Sequence, residues 1–171
     1  LGVFITGAAR LMLAVAEKQT LDAGLEWVFC DTDSLAIARP EGVTEGDFMD
    51  RAQSVIDWFK PLNPYQKPGS ILQIEDINYT GDKAKGLTPL YAFAISAKRY
   101  ALFNINENGE PVIRKASAHG LGHLIGPYNE SDAPPEFPKP SMPLGEIGVS
   151  RWQYDLWFNI VTAALAGEPD F

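Results

Sequence analysis

A polar tetrapeptide, Asp31-Thr32-Asp33-Ser34, interrupts an otherwise apolar stretch that runs from Leu25 to Ala38. Trp27-Val28-Phe29 before it and Leu35-Ala36-Ile37 after it are rich in residues that suit a pleated, half-buried surface. Asp, Thr and Ser favour turns because their side chains bond nearby backbone groups. Two strands joined by a tight polar turn satisfy both halves of the pattern. Asp31 and Asp33 are two apart, so in extended backbone they share a face while Thr32 points the other way. Two carboxylates that close repel each other unless a cation neutralises them. Their hard oxygens suit Mg²⁺, with Mn²⁺ as an alternative, a water and phosphate shell completing the coordination. A solvated turn between two strands accounts for the same residues without any metal.

Around this hairpin the pattern alternates helix and strand. Residues 6–23 read as a helix capped by Thr6 and ended by Gly24, with Leu11, Val15 and Leu21 roughly at helical spacing. A second helix spans residues 45–59, with Phe48, Ala52, Val55, Ile56 and Phe59 on one face and Pro61 and Pro64 beyond it. Residues 70–79 read as a strand, Leu72 and Ile74 alternating with Gln73 and Glu75. Residues 90–104 and 110–116 read as a hairpin around Asn108-Gly109. Residues 126–148 are proline-rich and aperiodic, a connection rather than an element. Ser150 then precedes a helix over 151–166, where Trp152, Leu156, Ile160 and Ala164 recur at helical spacing. That aromatic-rich helix needs a surface to pack against, and sequence outside these 171 residues is one source of it. The order of elements predicts an α+β fold with an antiparallel sheet and flanking helices.

The composition is that of a soluble globular chain, 46% hydrophobic and 21% charged, with no apolar run long enough to cross a bilayer. A single cysteine, Cys30, excludes an internal disulfide and a cysteine-based zinc cluster, and points to a reducing, cytoplasmic setting. The chain opens on Leu1 without a basic flank, so it reads as a piece of a longer polypeptide and not as a signal peptide. A net charge of −8 argues against a general polyanion binder. The charge is unevenly spread, however. Lys83, Lys85, Lys98, Arg99, Arg114 and Lys115 form a locally basic segment that contains only Glu107 and Glu110 as acids. Such a segment allows one place on an acidic protein to grip a polyanion.

Phe29-Cys30-Asp31-Thr32-Asp33-Ser34 resembles motif C of family B DNA polymerases, an aromatic and a small residue followed by Asp-Thr-Asp-Ser. Cys30 stands where the family usually has glycine. About sixty residues on, Ala97-Lys98-Arg99-Tyr100 resembles the family's Lys-Lys-Arg-Tyr motif, with Ala97 in place of the first lysine. Leu72-Gln73-Ile74-Glu75 resembles its Leu-Glu-x-Glu stretch, and Lys115 to Gly120 its Lys-x-x-Gly connection from palm to thumb. The resemblance covers roughly residues 1–125. It implies that residues 1–120 are part of a polymerase palm and that 121–171 hold the connection and the start of a helical thumb.

The resemblance also implies roles. Asp33 is the principal ligand of catalytic Mg²⁺ and Asp31 an accessory one, with Glu75 a third carboxylate candidate. Lys98, Arg99, Tyr100 and Lys115 contact nucleic acid. A lysine can donate to the N3 and O2 acceptors that every base pair shows in the minor groove, so Lys98 senses pairing without demanding sequence. The tyrosine suits a phosphate and the arginine an ion pair. The family joins a primer 3′-hydroxyl to the α-phosphate of a deoxynucleoside triphosphate, with two Mg²⁺ and pyrophosphate as leaving group. Its partners are primer-template DNA, deoxynucleoside triphosphates and the remainder of the polymerase chain, with no membrane. The upstream aspartate and the nucleotide-binding helix are not in these 171 residues, which implies a fragment inactive by itself.

Two other classes fit parts of the pattern. A metal-dependent glycosyltransferase also uses Asp-x-Asp against a diphosphate, but has no need of Lys98 and Tyr100. A polymerase-like module that has lost catalysis would keep the basic segment for nucleic acid. His119 and His123 have a zinc-like spacing, yet Gly120 and Gly122 between them disfavour the helix such a pair needs, which favours a structural or phosphate-facing loop. Trp152, Trp157 and Phe158 are apolar core residues by their helical spacing, although aromatics can also stack on bases.

Overall fold

The computed structural model describes residues 2–79, 86–121 and 148–167. The chain divides into two units, Leu1–Ile74 and Glu75–Phe171, each with its own apolar cluster. The architecture is mixed α+β, with a two-stranded and a three-stranded antiparallel sheet. Lys83, Lys85, His123 and the prolines from Pro127 to Pro143 lie outside the described residues. Among the described residues no helix is long and apolar enough to cross a membrane.

The first unit begins with helix α1, Gly2–Asp22. It starts earlier than the sequence pattern predicts, and Thr6 is not its cap. The Thr6 hydroxyl instead donates to the Gly2 carbonyl at 3.0 Å, within the helix. The inward stripe is also rotated. Leu11 and Leu21 are exposed, whereas Ala16 and Thr20 are buried and Met12 and Val15 pack on the core. Gly24 ends the helix as expected, with φ +69°. Its N–H donates to the Leu21 carbonyl at 2.9 Å and that of Leu25 to the Thr20 carbonyl at 3.1 Å, the paired bonds of a Schellman motif.

Leu25 is then buried, which turns the chain directly into strand β1, Glu26–Asp31. It pairs antiparallel with β2, Ser34–Ala38, through Asp31 opposite Ser34. A bulge at Val28, where the register passes from Trp27 to Phe29, leaves Trp27 and Val28 exposed and turns Phe29 inward. Helix α2, Glu45–Trp58, is capped by Thr44, whose hydroxyl oxygen accepts from the Asp47 N–H at 3.1 Å. Phe48, Ala52, Val55 and Phe59 are its buried stripe, matching the predicted face apart from Ile56, which is half-buried. A short 3₁₀ turn at Lys60–Leu62 follows.

Residues 70–79 are not a strand. The alternation survives, because Leu72 and Ile74 are half-buried while Ile71, Gln73 and Glu75 are exposed. Most of the backbone makes local bonds instead of a ladder: the Leu72 N–H donates to the Ser70 hydroxyl at 3.1 Å, and Asp76–Asn78 close a 3₁₀ turn, while Tyr79 at the end forms an isolated antiparallel bridge with Leu87. Serine side chains compete in this way with strand pairing.

In the second unit the predicted hairpin has one more strand. Strands β3, Tyr91–Ser96, β4, Arg99–Ile105, and β5, Pro111–Ala118, pair in that order. Residues 90–104 fold back on themselves at Ala97-Lys98, with Ser96 opposite Arg99. The β4–β5 turn is organised by Asn106, whose side-chain oxygen accepts from the N–H groups of Asn108 and Glu110 at 3.0 and 2.9 Å.

Helix α3, Arg151–Ala166, covers this sheet, so its apolar partner lies within the chain. Its buried stripe is Tyr154, Trp157, Phe158 and Val161, so Trp157 and Phe158 are core residues as expected. Trp152, Leu156, Ile160 and Ala164, the other series at helical spacing, are half-buried, and Ile160 packs against the same cluster. The buried stripe holds three aromatics, with far more area to bury.

Tyr154 is 2% exposed. Burial, reinforced by the carboxylates of Asp155 and Glu110, pushes its phenol from an ordinary 10.0 up to about 12. The folded protein therefore holds this proton where the unfolded chain releases it, and stability falls as pH rises from 10 towards 12. Tyr154→Phe should flatten that part of the alkaline stability curve, as read from urea midpoints with tyrosinate absorbance followed in parallel.

Candidate functional site

Asp31 is the last residue of β1 and Asp33 the second residue of the turn into β2. They are not on one face of an extended strand, because the chain reverses between them. Thr32 has φ +59°, the one positive value at a non-glycine among the described residues. The Asp33 N–H donates to the Asp31 carbonyl at 2.8 Å, closing a three-residue turn on Thr32. A β-branched residue in this region is a real outlier, since its Cβ crowds the following carbonyl. Three local contacts surround the outlier. The Ser34 hydroxyl donates to the Asp31 carbonyl at 3.1 Å, the Thr32 hydroxyl donates to Asp31 Oδ1 at 3.1 Å, and the flanking strands pair on both sides. Asp31 is half-buried and Asp33 exposed.

As a donor set the turn fits a hard divalent cation: two carboxylates and hydroxyls, with no soft ligand besides the neighbouring Cys30. Within the first unit no third His, Cys, Asp or Glu joins them among the described residues to complete a metal-holding group. Water and phosphate oxygens, or a carboxylate from outside the unit, would have to supply the remaining positions.

Glu75, the third candidate, has another partner. Its Oε2 accepts from Lys115 Nζ at 2.8 Å, a contact within the second unit. Partial burial acts to lower the Lys115 ammonium, and the Glu75 carboxylate and the Tyr100 phenol outweigh it, so the Lys115 pKa lies above its ordinary 10.5. A carboxylate and a lysine that were expected to hold a metal and a nucleic acid are thus turned towards each other. Both remain partly exposed, and such surface pairs contribute little stability.

Lys98 stands at the tip of the β3–β4 hairpin and Arg99 opens β4, both exposed. Arg99 Nε donates to the His119 carbonyl at 3.1 Å, so this guanidinium braces the end of β5. Tyr100 is 2% exposed, with its ring inside the unit and its phenol beside Lys115. Arg114, counted in the basic segment, is only 8% exposed and is spent internally on Tyr79 O at 3.2 Å and Asn104 Oδ1 at 3.4 Å. The exposed cations of the described basic segment are therefore Lys98 and Arg99, with Lys115 half-covered.

One residue that the sequence gives no reason to single out is Ser117. Buried in β5, it donates its hydroxyl to the Lys98 carbonyl at 2.8 Å. Strand alternation places it near Lys115 but says nothing about a bond to a turn nineteen residues away.

Comparison with protein-family models, with curated proteins and with solved structures gave no match.

The turn geometry makes a direct prediction. Removing the Cβ at position 32 relieves roughly 1–2 kcal/mol of left-handed strain, offset in part by glycine's greater freedom when unfolded. Thr32→Gly should therefore stabilise the first unit by about 0.5–1 kcal/mol in urea titrations. A loss of stability would mean that the Thr32 hydroxyl bond to Asp31 outweighs the strain.

Proposed function

We propose that the chain is part of a family B DNA polymerase, carrying the second half of its palm and the start of its thumb. The observation that carries the reading is the placement of two motifs in family order, each at the exposed tip of an antiparallel hairpin. Asp31-Thr32-Asp33-Ser34 closes β1–β2, and Lys98 closes β3–β4. The α+β architecture with antiparallel sheets is compatible with a palm. The first turns of α1 are apolar and open, Val3 and Phe4 each 81% exposed, and they offer a surface to the remainder of such an enzyme.

In this reading Asp33, exposed at the turn, is the principal carboxylate, and Asp31, pinned by its neighbours, supports it. They would hold Mg²⁺ or Mn²⁺, which when bound supplies positive charge against the phosphates of a deoxynucleoside triphosphate. Lys98 reaches the minor-groove acceptors of the primer-terminal duplex, and Arg99 braces the loop that follows β5. Tyr100 acts from within the unit, setting Lys115 and not a phosphate. Glu75 serves first as the counter-ion of Lys115. Catalysis needs a further aspartate and a nucleotide-binding helix from the rest of the enzyme, so these 171 residues bind without turning over.

Two measurements test this. Lys98→Ala should weaken primer-template binding several-fold and flatten its dependence on salt by roughly one unit in log–log slope, whatever the sequence of the duplex. Unchanged affinity and slope would remove Lys98 from the interface. The purified chain with Mg²⁺, primer-template and deoxynucleoside triphosphates should give no template-directed incorporation, and measurable extension would refute the division of the active site.

A further inference from the structure

The hairpin tip that carries Lys98 is tied to the core of the second unit by a chain of hydrogen bonds. Trp157, wholly buried in α3, donates its Nε1–H to the Ser117 carbonyl at 3.1 Å. The Ser117 hydroxyl, on a residue 7% exposed, donates to the Lys98 carbonyl at 2.8 Å. The His119 N–H donates to that same oxygen at 3.2 Å, and Arg99 Nε returns to the His119 carbonyl at 3.1 Å. The Lys98 peptide thus accepts two bonds from the end of β5, one from a side chain that has no other evident task.

A two-residue hairpin needs no such tie, because its cross-strand bonds already close it. What the tie controls is the freedom of the tip. A lysine on a mobile turn loses both backbone and side-chain freedom when it binds, and one on a pinned turn loses side-chain freedom alone. We propose that Ser117, held by Trp157, is a positioning residue that presents Lys98 to duplex nucleic acid. This rests on the reading of Lys98 as a nucleic-acid contact, and adds to it that α3, whose sequence suggests a separate thumb, supports the Lys98 turn from behind.

The experiment uses the whole chain with a blunt primer-template duplex and the matching single strand. Ser117→Ala removes the hydroxyl. Ser117→Thr and Ser117→Val form an equal-volume pair that keeps or lacks it, so a packing defect is separated from loss of the bond. Ser117→Ala and Ser117→Val should each lower duplex affinity roughly fivefold to tenfold, the scale of ordering one residue's backbone, with Ser117→Thr close to the parent. The double variant Lys98→Ala, Ser117→Ala should be no weaker than Lys98→Ala alone, because both changes remove one contact. The backbone order parameter at Lys98, measured by NMR without DNA, should fall in the Ala and Val variants while circular dichroism is unchanged. Effects that multiply in the double variant, or an unchanged order parameter at Lys98, would overturn the proposal. If Lys98→Ala weakens binding but Ser117→Ala does not, only this inference fails. If the parent chain does not bind the duplex at all, the polymerase reading and this inference fail together.

Discussion

The indole of Trp157 packs α3 onto the three-stranded sheet, and the second unit is arranged around it. Its ring meets Phe93 of β3 edge-on at 6.3 Å and shares a cluster with Ile113 of β5 and Val161 of α3. A buried tryptophan removes about 150–250 Å² from water, a gross gain of roughly 4–6 kcal/mol at the usual coefficient. It also brings one N–H that must find an acceptor. The Ser117 carbonyl supplies it, which fixes α3 along the length of β5 as well as against its face. The same residue's hydroxyl then reaches the β3–β4 turn, so helix position and turn position are coupled through a single serine.

The carboxylate turn of the first unit is built on the opposite principle. The hydrogen bonds that shape its backbone reversal run between neighbours in sequence. Asp31, Thr32, Asp33 and Ser34 bond one another, and β1 and β2 hold the ends. The cost is a β-branched residue in a left-handed conformation that a glycine or asparagine would adopt more readily. Strain of this kind persists only where its surroundings over-determine it, and it recurs at sites that hold ligands.

Charge tells a similar story at the level of the surface. The basic segment is uniform in sequence, but its members have different fates. Arg114 sits at a bulge in β5, where the register passes from Lys115 to Ile113, and is drawn inside to cap the Tyr79 and Asn104 oxygens. Its Nε is the one buried side-chain nitrogen or oxygen without a hydrogen-bond partner among the described residues. Lys115 is bonded to Glu75, and Arg99 to a carbonyl.

Much of the local structure was legible in the residues themselves. The Asp31–Ser34 hairpin, the Gly24 helix end, the span of α2 and its Phe48–Phe59 stripe, and the span of α3 all follow from turn chemistry and periodicity, which act between near neighbours. The misplaced features have two causes. At 70–79 the Ser70 hydroxyl and a 3₁₀ turn take up the backbone locally. The inward stripe of α1, the Tyr154 and Val161 positions of α3 and the extra turn at Ala97-Lys98 each depend on which surface or strand lies opposite, and that partner is remote in sequence. Asp-Thr-Asp-Ser by itself determined a tight acidic turn, because side chain and backbone a few atoms apart leave little choice. That Tyr100 is buried, that Glu75 meets Lys115 across forty residues, and that Ser117 holds the Lys98 peptide were decided only by tertiary structure, since each bond exists only once strands distant in the chain have been brought into register.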